Sequence, residues 1–99
     1  MKKFAFILMG GDFHPEKDTA CFETPGGITS IFTVRSLQEA EKRAIECAAE
    51  GYGVIELCGA FGEEGASKIR EATNDKIGVG YVIHDPAQDD IFAEFFSGK

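Results

Sequence analysis

The sequence predicts an α/β fold, with a small, mostly parallel sheet of four strands and two main helices. Apolar runs typical of strands alternate with segments of helical spacing through the middle of the chain. Such alternation is typical of parallel strands joined by right-handed crossovers. With 99 residues, residues 1–99 are expected to form one domain, similar to half of a βα-barrel or to a minimal doubly wound sheet.

The first predicted strand runs from Lys3 to Met9, and its residues Phe4–Met9 form a continuous apolar run, which is typical of a strand covered on both faces. Residues 12–27 form a long connection that is either a functional loop or contains an element of its own. Within it, Thr19–Thr24 could pair as a short edge strand before a Pro-Gly-Gly turn. The second strand is Ile28–Val34, which is rich in β-branched residues.

A helix is predicted to begin after Ser36, because Glu39 completes a capping box with it. The buried stripe of this helix is expected to consist of Leu37, Ala40, Ala44, Ile45 and Ala48. A third strand at 54–58, a second helix at 63–73 and a fourth strand at 77–83 follow. Two helices are too few to cover both faces of a parallel sheet, so a homo-oligomer is expected.

The C-terminal segment is predicted to contain a short helix from Asp89 to Phe96. Its apolar residues cluster on one side, namely Ile91, Phe92, Phe95 and Phe96. Residues 89–99 are therefore a candidate oligomerisation tail. Either this phenylalanine patch or the remaining face of the sheet is the expected interface.

Composition excludes several classes of partner. The formal net charge is −7, from 10 basic and 17 acidic residues, whereas nucleic acids and anionic membranes require a basic surface. The apolar run at Phe4–Met9 is too short for a secretory signal. Cys21, Cys47 and Cys58 form no CxxC pair and are odd in number, which fits a reducing cytoplasm.

Chemistry is expected at the carboxyl ends of the strands, where parallel sheets bind ligands. Both histidines, His14 and His84, follow strand ends, as does Cys58. The predicted ligand-binding residues are Arg35, Gly59, Phe61, Gly62 and His84. No HxxxH, HxH or CxxC spacing is present, so no metal site is predicted. The glycine-rich turn at 59–65 lacks the phosphate-loop patterns, and the sequence identifies no cofactor.

The candidate catalytic residues are Glu56, Cys58 and His14. Alternation places Glu56 on one face of the third strand with Val54 and Cys58. A carboxylate on a covered face is costly unless it is paired. Glu56 is therefore either a structural ion pair or exposed edge position, or else a general base or ligand anchor. Cys58 is either a thiol activated by the following helix or an inert core cysteine.

The string Ile55–Gly62, together with Val79–Val82 downstream, resembles a family of short bacterial α/β proteins of unknown function. The motif is of the type IELCG[GA]FG, and the likeness extends from Phe4 to about Asp85. The resemblance implies a free-standing cytoplasmic domain and supplies no catalytic residue. The C-terminal Asp89–Lys99 lies outside it.

These observations favour a protein that binds a small molecule at the carboxyl ends of its strands. One alternative is a small lyase, isomerase or hydrolase that uses Glu56 and a histidine for acid–base chemistry. Another is a purely structural subunit of an oligomer.

Overall fold

The computed structural model describes residues 1–98 of the chain. The strands are β1 (Lys2–Met9), β2 (Ala20–Thr24), β3 (Gly27–Val34), β4 (Val54–Leu57) and β5 (Gly78–Tyr81). The helices are α1 (Leu37–Ala49), α2 (Gly62–Ala72) and α3 (Asp89–Ser97), and a single 3₁₀ turn at Pro86–Gln88 leads into α3. None of the helices within residues 1–98 is both long enough and apolar enough to cross a bilayer.

The strands form one mixed sheet in the order β2-β3-β1-β4-β5. β1 pairs in parallel with β3 and β4, and β4 pairs in parallel with β5, whereas β2 runs antiparallel to β3. The prediction of a mostly parallel α/β sheet is confirmed, but the count of four strands is wrong. The fifth strand is β2, which lies in the long connection at 12–27 and confirms the short edge strand considered at Thr19–Thr24. It is exposed along its length, so it lacks the apolar run that marks an interior strand.

The hairpin between β2 and β3 depends on a glycine. Gly27 has a φ of +145°, and a Cβ there would overlap the backbone carbonyl of Lys2 on the neighbouring strand. Only glycine tolerates such a close approach in this conformation. The turn therefore fixes where β3 begins and which residue of β1 it faces.

The helix α1 begins much as the sequence predicts. The Ser36 hydroxyl accepts a hydrogen bond from the Glu39 amide at 3.2 Å. The carboxylate of Glu39 accepts a bond from the amide of Arg35, at 2.8 Å, and a second from the Arg35 guanidinium. The Arg35 amide and then its guanidinium hold the pKa of Glu39 below its usual value. Arg35 is thereby engaged at the helix start.

One face of the sheet carries the core. Ala5, Ile7, Ile55 and Leu57 are fully buried there, and they form one cluster with residues of both α1 and α2. The helices contribute Ala40, Ala44, Cys47, Ala66 and Ile69. The small stripe predicted for α1 is confirmed at its two central alanines but is wrong at Ile45, which is 52% exposed. Cys47, three residues after Ala44, is the next buried residue of the helix instead.

Neither α1 nor α2 lies against the opposite face of the sheet, and within residues 1–98 α3 approaches it only at the carboxyl end, where Leu8 and α3 line the same cavity. We call this face the open face. Strand register and alternation assign its residues: Lys2, Phe4, Phe6 and Leu8 of β1, Phe22 of β2, Thr29 and Ile31 of β3, and Val54 and Glu56 of β4. Phe22 and Val54 are 55% and 40% exposed. The expectation that β1 is covered on both faces is therefore wrong for this chain alone. α1 and α2 lie against the same face and contact each other.

Candidate functional site

A cavity of about 720 Å³ lies at the carboxyl ends of the parallel strands, beneath α3. The strand ends contribute apolar side chains and backbone: Leu8, Met9, Cys58, Gly59, Ala60, Val82 and Ile83. α3 contributes Phe92, Ala93 and Phe96, and the loop after β1 contributes Phe13. The ladder continues beyond the ends of β4 and β5, since the Cys58 amide bonds to Ile7 and the Val82 amide to Leu57. Side chains at the carboxyl ends of the strands therefore line the cavity.

The helix α3 is attached to the sheet mainly through His84. The imidazole of His84 stacks on the ring of Phe92, with centroids 3.8 Å apart and planes 8° apart. Its Nε2 atom lies 2.7 Å from the Oδ1 atom of Asp89, at the first residue of α3. α3 itself has no buried residue. These two contacts therefore position the helix over the strand ends and form the roof of the cavity.

The polar side chains of the cavity are few. They are the imidazole of His84, the carboxylate of Asp89 and the thiol of Cys58. The sulfur of Cys58 accepts a hydrogen bond from the Met9 amide at 3.4 Å. Carbon dominates the remaining surface. Such a lining is typical of sites that hold an apolar molecule and orient it with a small number of polar groups.

The geometry of His84 defines its chemical capacity. When the Asp89 carboxylate accepts a hydrogen bond from Nε2–H, the other nitrogen of the neutral ring, Nδ1, is a hydrogen-bond acceptor. The structure gives Nδ1 no hydrogen-bond partner among residues 1–98. His84 can thus accept a hydrogen bond from a bound molecule, or donate one when the ring is protonated.

Three of the residues predicted from the sequence come together here. Cys58, Gly59 and His84 all line the cavity. They follow β4 and β5, two neighbouring parallel strands. Their convergence is the outcome expected for the carboxyl ends of a parallel sheet.

Glu56 does not line this cavity. It is exposed on the open face, where it lies beside Gly80 of the next strand; a Cβ at Gly80 would be 3.6 Å from the Glu56 Cγ atom. β4 is an interior strand, so this is not the edge position considered above. The carboxylate remains exposed because no element covers this part of the face, and the argument from costly burial does not apply to it.

Four further predicted residues lie elsewhere. His14 is exposed in the loop after β1, where its amide donates to Asp18. Arg35 is paired with Glu39 at a distance of 3.0 Å. Phe61 belongs to the core and is 6% exposed. Gly62 begins α2 with a φ of +64°, a conformation that favours glycine. None of the four lines the cavity.

Sequence reasoning missed Phe13, Asp89 and the α3 side of the site. Phe92 and Phe96 were assigned to an interface patch, although their spacing of four residues places them on one side of a helix. Phe13 directly precedes His14 in the loop after β1, and it is the phenylalanine that lines the cavity. Within residues 1–98, no three His, Cys, Asp or Glu side chains are grouped closely enough to hold a metal ion.

Comparison with known proteins places the chain in a family. The model of a family of unknown function, DUF6506, matches residues 2–97. The match includes α3, which the likeness seen in the sequence did not reach. No curated protein and no solved structure matches the chain.

Proposed function

Because the chain belongs to the DUF6506 family of unknown function, we propose its function from the geometry of the cavity. The protein binds a small, largely apolar molecule that carries one hydrogen-bonding group. The observation that supports this proposal is the cavity at the strand ends, where one His–Asp pair lies among apolar side chains. Its volume of about 720 Å³ lies in the range of small-molecule sites.

The charge of the site indicates which molecules it suits. Asp89 lies at the cavity and the chain carries a net charge of −7, so an anionic molecule would be repelled. A neutral molecule with a hydroxyl or amino group can place its apolar part against Phe92 and donate a hydrogen bond to His84. We therefore assign a neutral aromatic or alicyclic alcohol, or an aromatic amine, as the ligand class.

The cavity is tested with the neutral fluorescent probe N-phenyl-1-naphthylamine. We expect a saturable rise in probe fluorescence, and we expect Ala93→Phe to weaken the probe's affinity about tenfold or more because the new ring occupies the cavity. Ala87→Phe is the matched control, since Ala87 is exposed and does not line the cavity. Equal effects of the two substitutions, or no saturable binding to the wild-type chain, would contradict the proposal.

The role of His84 is tested by competition between 1-naphthol and naphthalene for the same probe site. One hydrogen bond should make 1-naphthol bind about three- to tenfold more tightly than naphthalene. The variant His84→Phe keeps an aromatic ring against Phe92 but has no nitrogen. We expect the preference for 1-naphthol to vanish in this variant while naphthalene binds as before. If His84→Phe still binds 1-naphthol more tightly than naphthalene, His84 does not recognise the hydroxyl group.

A second candidate is an enzyme that uses His84 as its acid–base group and Cys58 as its nucleophile. The observation that favours it is that this thiol and the His84–Asp89 pair line one cavity. An activated Cys58 should react with iodoacetamide at neutral pH faster than Cys21, although Cys21 is the more exposed thiol. His84→Phe should slow this reaction. If Cys58 reacts more slowly than Cys21, a role for Cys58 as the nucleophile is excluded.

A further inference from the structure

The open face has the composition of an interface rather than of a solvated surface. Its central residues are Phe4, Phe6 and Ile31, and Phe22 and Val54 beside them are largely exposed. In sheets with one solvated face, alternation normally gives that face polar residues. The apolar residues of this face therefore indicate that it is covered in the assembled protein.

The charges of the open face indicate what covers it. Across the five strands, its charged positions are Lys2 and Glu56, so the face is neutral although the chain has a net charge of −7. Lys2 lies at the amino end of β1. Glu56 lies beside Phe6, four residues further along the strand direction, or about 13 Å. Charges of opposite sign on the two sides of a two-fold axis make a surface self-complementary.

We propose that the open face binds a second copy of this chain, face to face and with the strands of the two copies antiparallel. The two-fold axis lies within the interface and crosses the strands at the level of Phe4 and Val54, which are paired in the sheet. This operation brings Lys2 of each copy over the Glu56 level of the other, so that two ion pairs flank an apolar centre. Two sheets packed in this way lie about 10 Å apart.

The helix α3 is the competing apolar surface, and its charge argues against self-association. Ile91, Phe95 and Phe96 are 63%, 74% and 74% exposed. However, α3 carries Asp89, Asp90 and Glu94 and no basic residue. Pairing two copies of α3 would bring six carboxylates together, whereas pairing two open faces brings opposite charges together.

The first test measures mass by sedimentation equilibrium on the full chain at micromolar concentration. We expect a dimer, and we expect Val54→Lys to give a monomer because it places two lysines near the axis. Ile45→Lys is the matched control, because Ile45 is 52% exposed on α1, on the opposite side of the sheet. A monomeric wild-type chain, or a dimer lost equally in both variants, would overturn the proposal. So would a dimer that survives Val54→Lys but is lost in Phe95→Lys.

The second test exchanges the two charges. Lys2→Glu or Glu56→Lys alone places like charges opposite each other and should weaken dimerisation about tenfold. The double variant restores opposite charges and should recover most of the loss. Lys68→Glu and Glu71→Lys make the same charge changes on the exposed surface of α2 and serve as controls. Additive losses in the double variant would contradict the antiparallel arrangement.

Discussion

At the scale of single residues, three cysteines occupy three environments. Cys21 is exposed on β2, Cys58 is half-buried at the cavity, and Cys47 is 1% exposed on the inner side of α1. Burial raises the pKa of the Cys47 thiol from 9.0 to about 11, because the apolar core disfavours a thiolate. The sequence alone indicates that Cys47 is structural. It does not show the degree of burial, which depends on the sheet beneath the helix.

The raised pKa of Cys47 predicts a dependence of stability on pH. Above pH 9.0 the unfolded chain loses this proton while the folded chain keeps it until about pH 11. The contribution of Cys47 is therefore fully present below pH 9.0 and is lost as pH rises through that window, with a slope of at most about 1.4 kcal/mol per pH unit. The free energies of unfolding of the wild type and of Cys47→Ala, measured in urea across this pH range, should converge as the pH rises. The free energy of unfolding of Cys21→Ala, which lacks an exposed thiol, should change with pH in the same way as that of the wild type.

Glu56 shows how a local pattern misleads at the residue scale. Its position between Ile55 and Leu57 correctly places it on the face opposite these two buried residues. The further inference of a costly burial depended on a covering element that residues 1–98 do not supply. Alternation predicts on which face a residue lies, whereas its exposure depends on tertiary packing.

At the scale of elements, the sequence predicts the positions of the helices and strands well and their lengths less well. The predicted starts and ends of β1, β3 and α2 agree with the structure to within one or two residues. The fourth predicted strand, 77–83, is longer than β5, which is Gly78–Tyr81. Val82 still donates to the Leu57 carbonyl, so the pairing continues one residue beyond the regular strand. Local signals such as the Ser36 cap need few residues, which is why they can be predicted.

The start of α1 supplies a test at this scale. Ser36→Ala removes the acceptor of the Glu39 amide and should lower the free energy of unfolding by about 1 kcal/mol. Ser67→Ala is the control, because Ser67 is exposed within α2 and alanine is the better helix former there. Chemical denaturation of both variants measures the difference. A loss of equal size in Ser67→Ala would show that the cap is not responsible.

At the scale of the whole molecule, the chain divides into a packed layer and an appended helix. The sheet, α1 and α2 share one core, to which α3 contributes no buried residue. The sequence predicts that two helices cannot cover a parallel sheet on both faces. It cannot predict that both lie on the same side, because this follows from the order in which the strands pair. The sequence places a ligand site at the carboxyl ends of the strands but does not predict its roof, because the packing of α3 over those ends is a tertiary contact that no local pattern records.

This division predicts the result of a truncation. A chain that ends at Asp85 lacks α3 but retains every residue of the core. We expect it to unfold cooperatively, with a melting temperature within about 5 °C of the full chain. It should also fail to bind N-phenyl-1-naphthylamine, because Phe92 and Phe96 are absent. Circular dichroism and probe fluorescence measure the two properties separately. Loss of cooperative unfolding would show that α3 stabilises the sheet.

The central position of β1 has a consequence for how the chain folds. β1 comes first in the chain, yet its neighbours in the sheet are β3 and β4, the latter ending at Leu57. On the ribosome, the run Phe4–Met9 can pair with β3 first, but its other edge stays without a partner until β4 has emerged. Long-range parallel pairing of this kind slows folding and leaves apolar strands prone to aggregation. Nascent chains of this protein should thus depend on chaperones until β4 has left the exit tunnel.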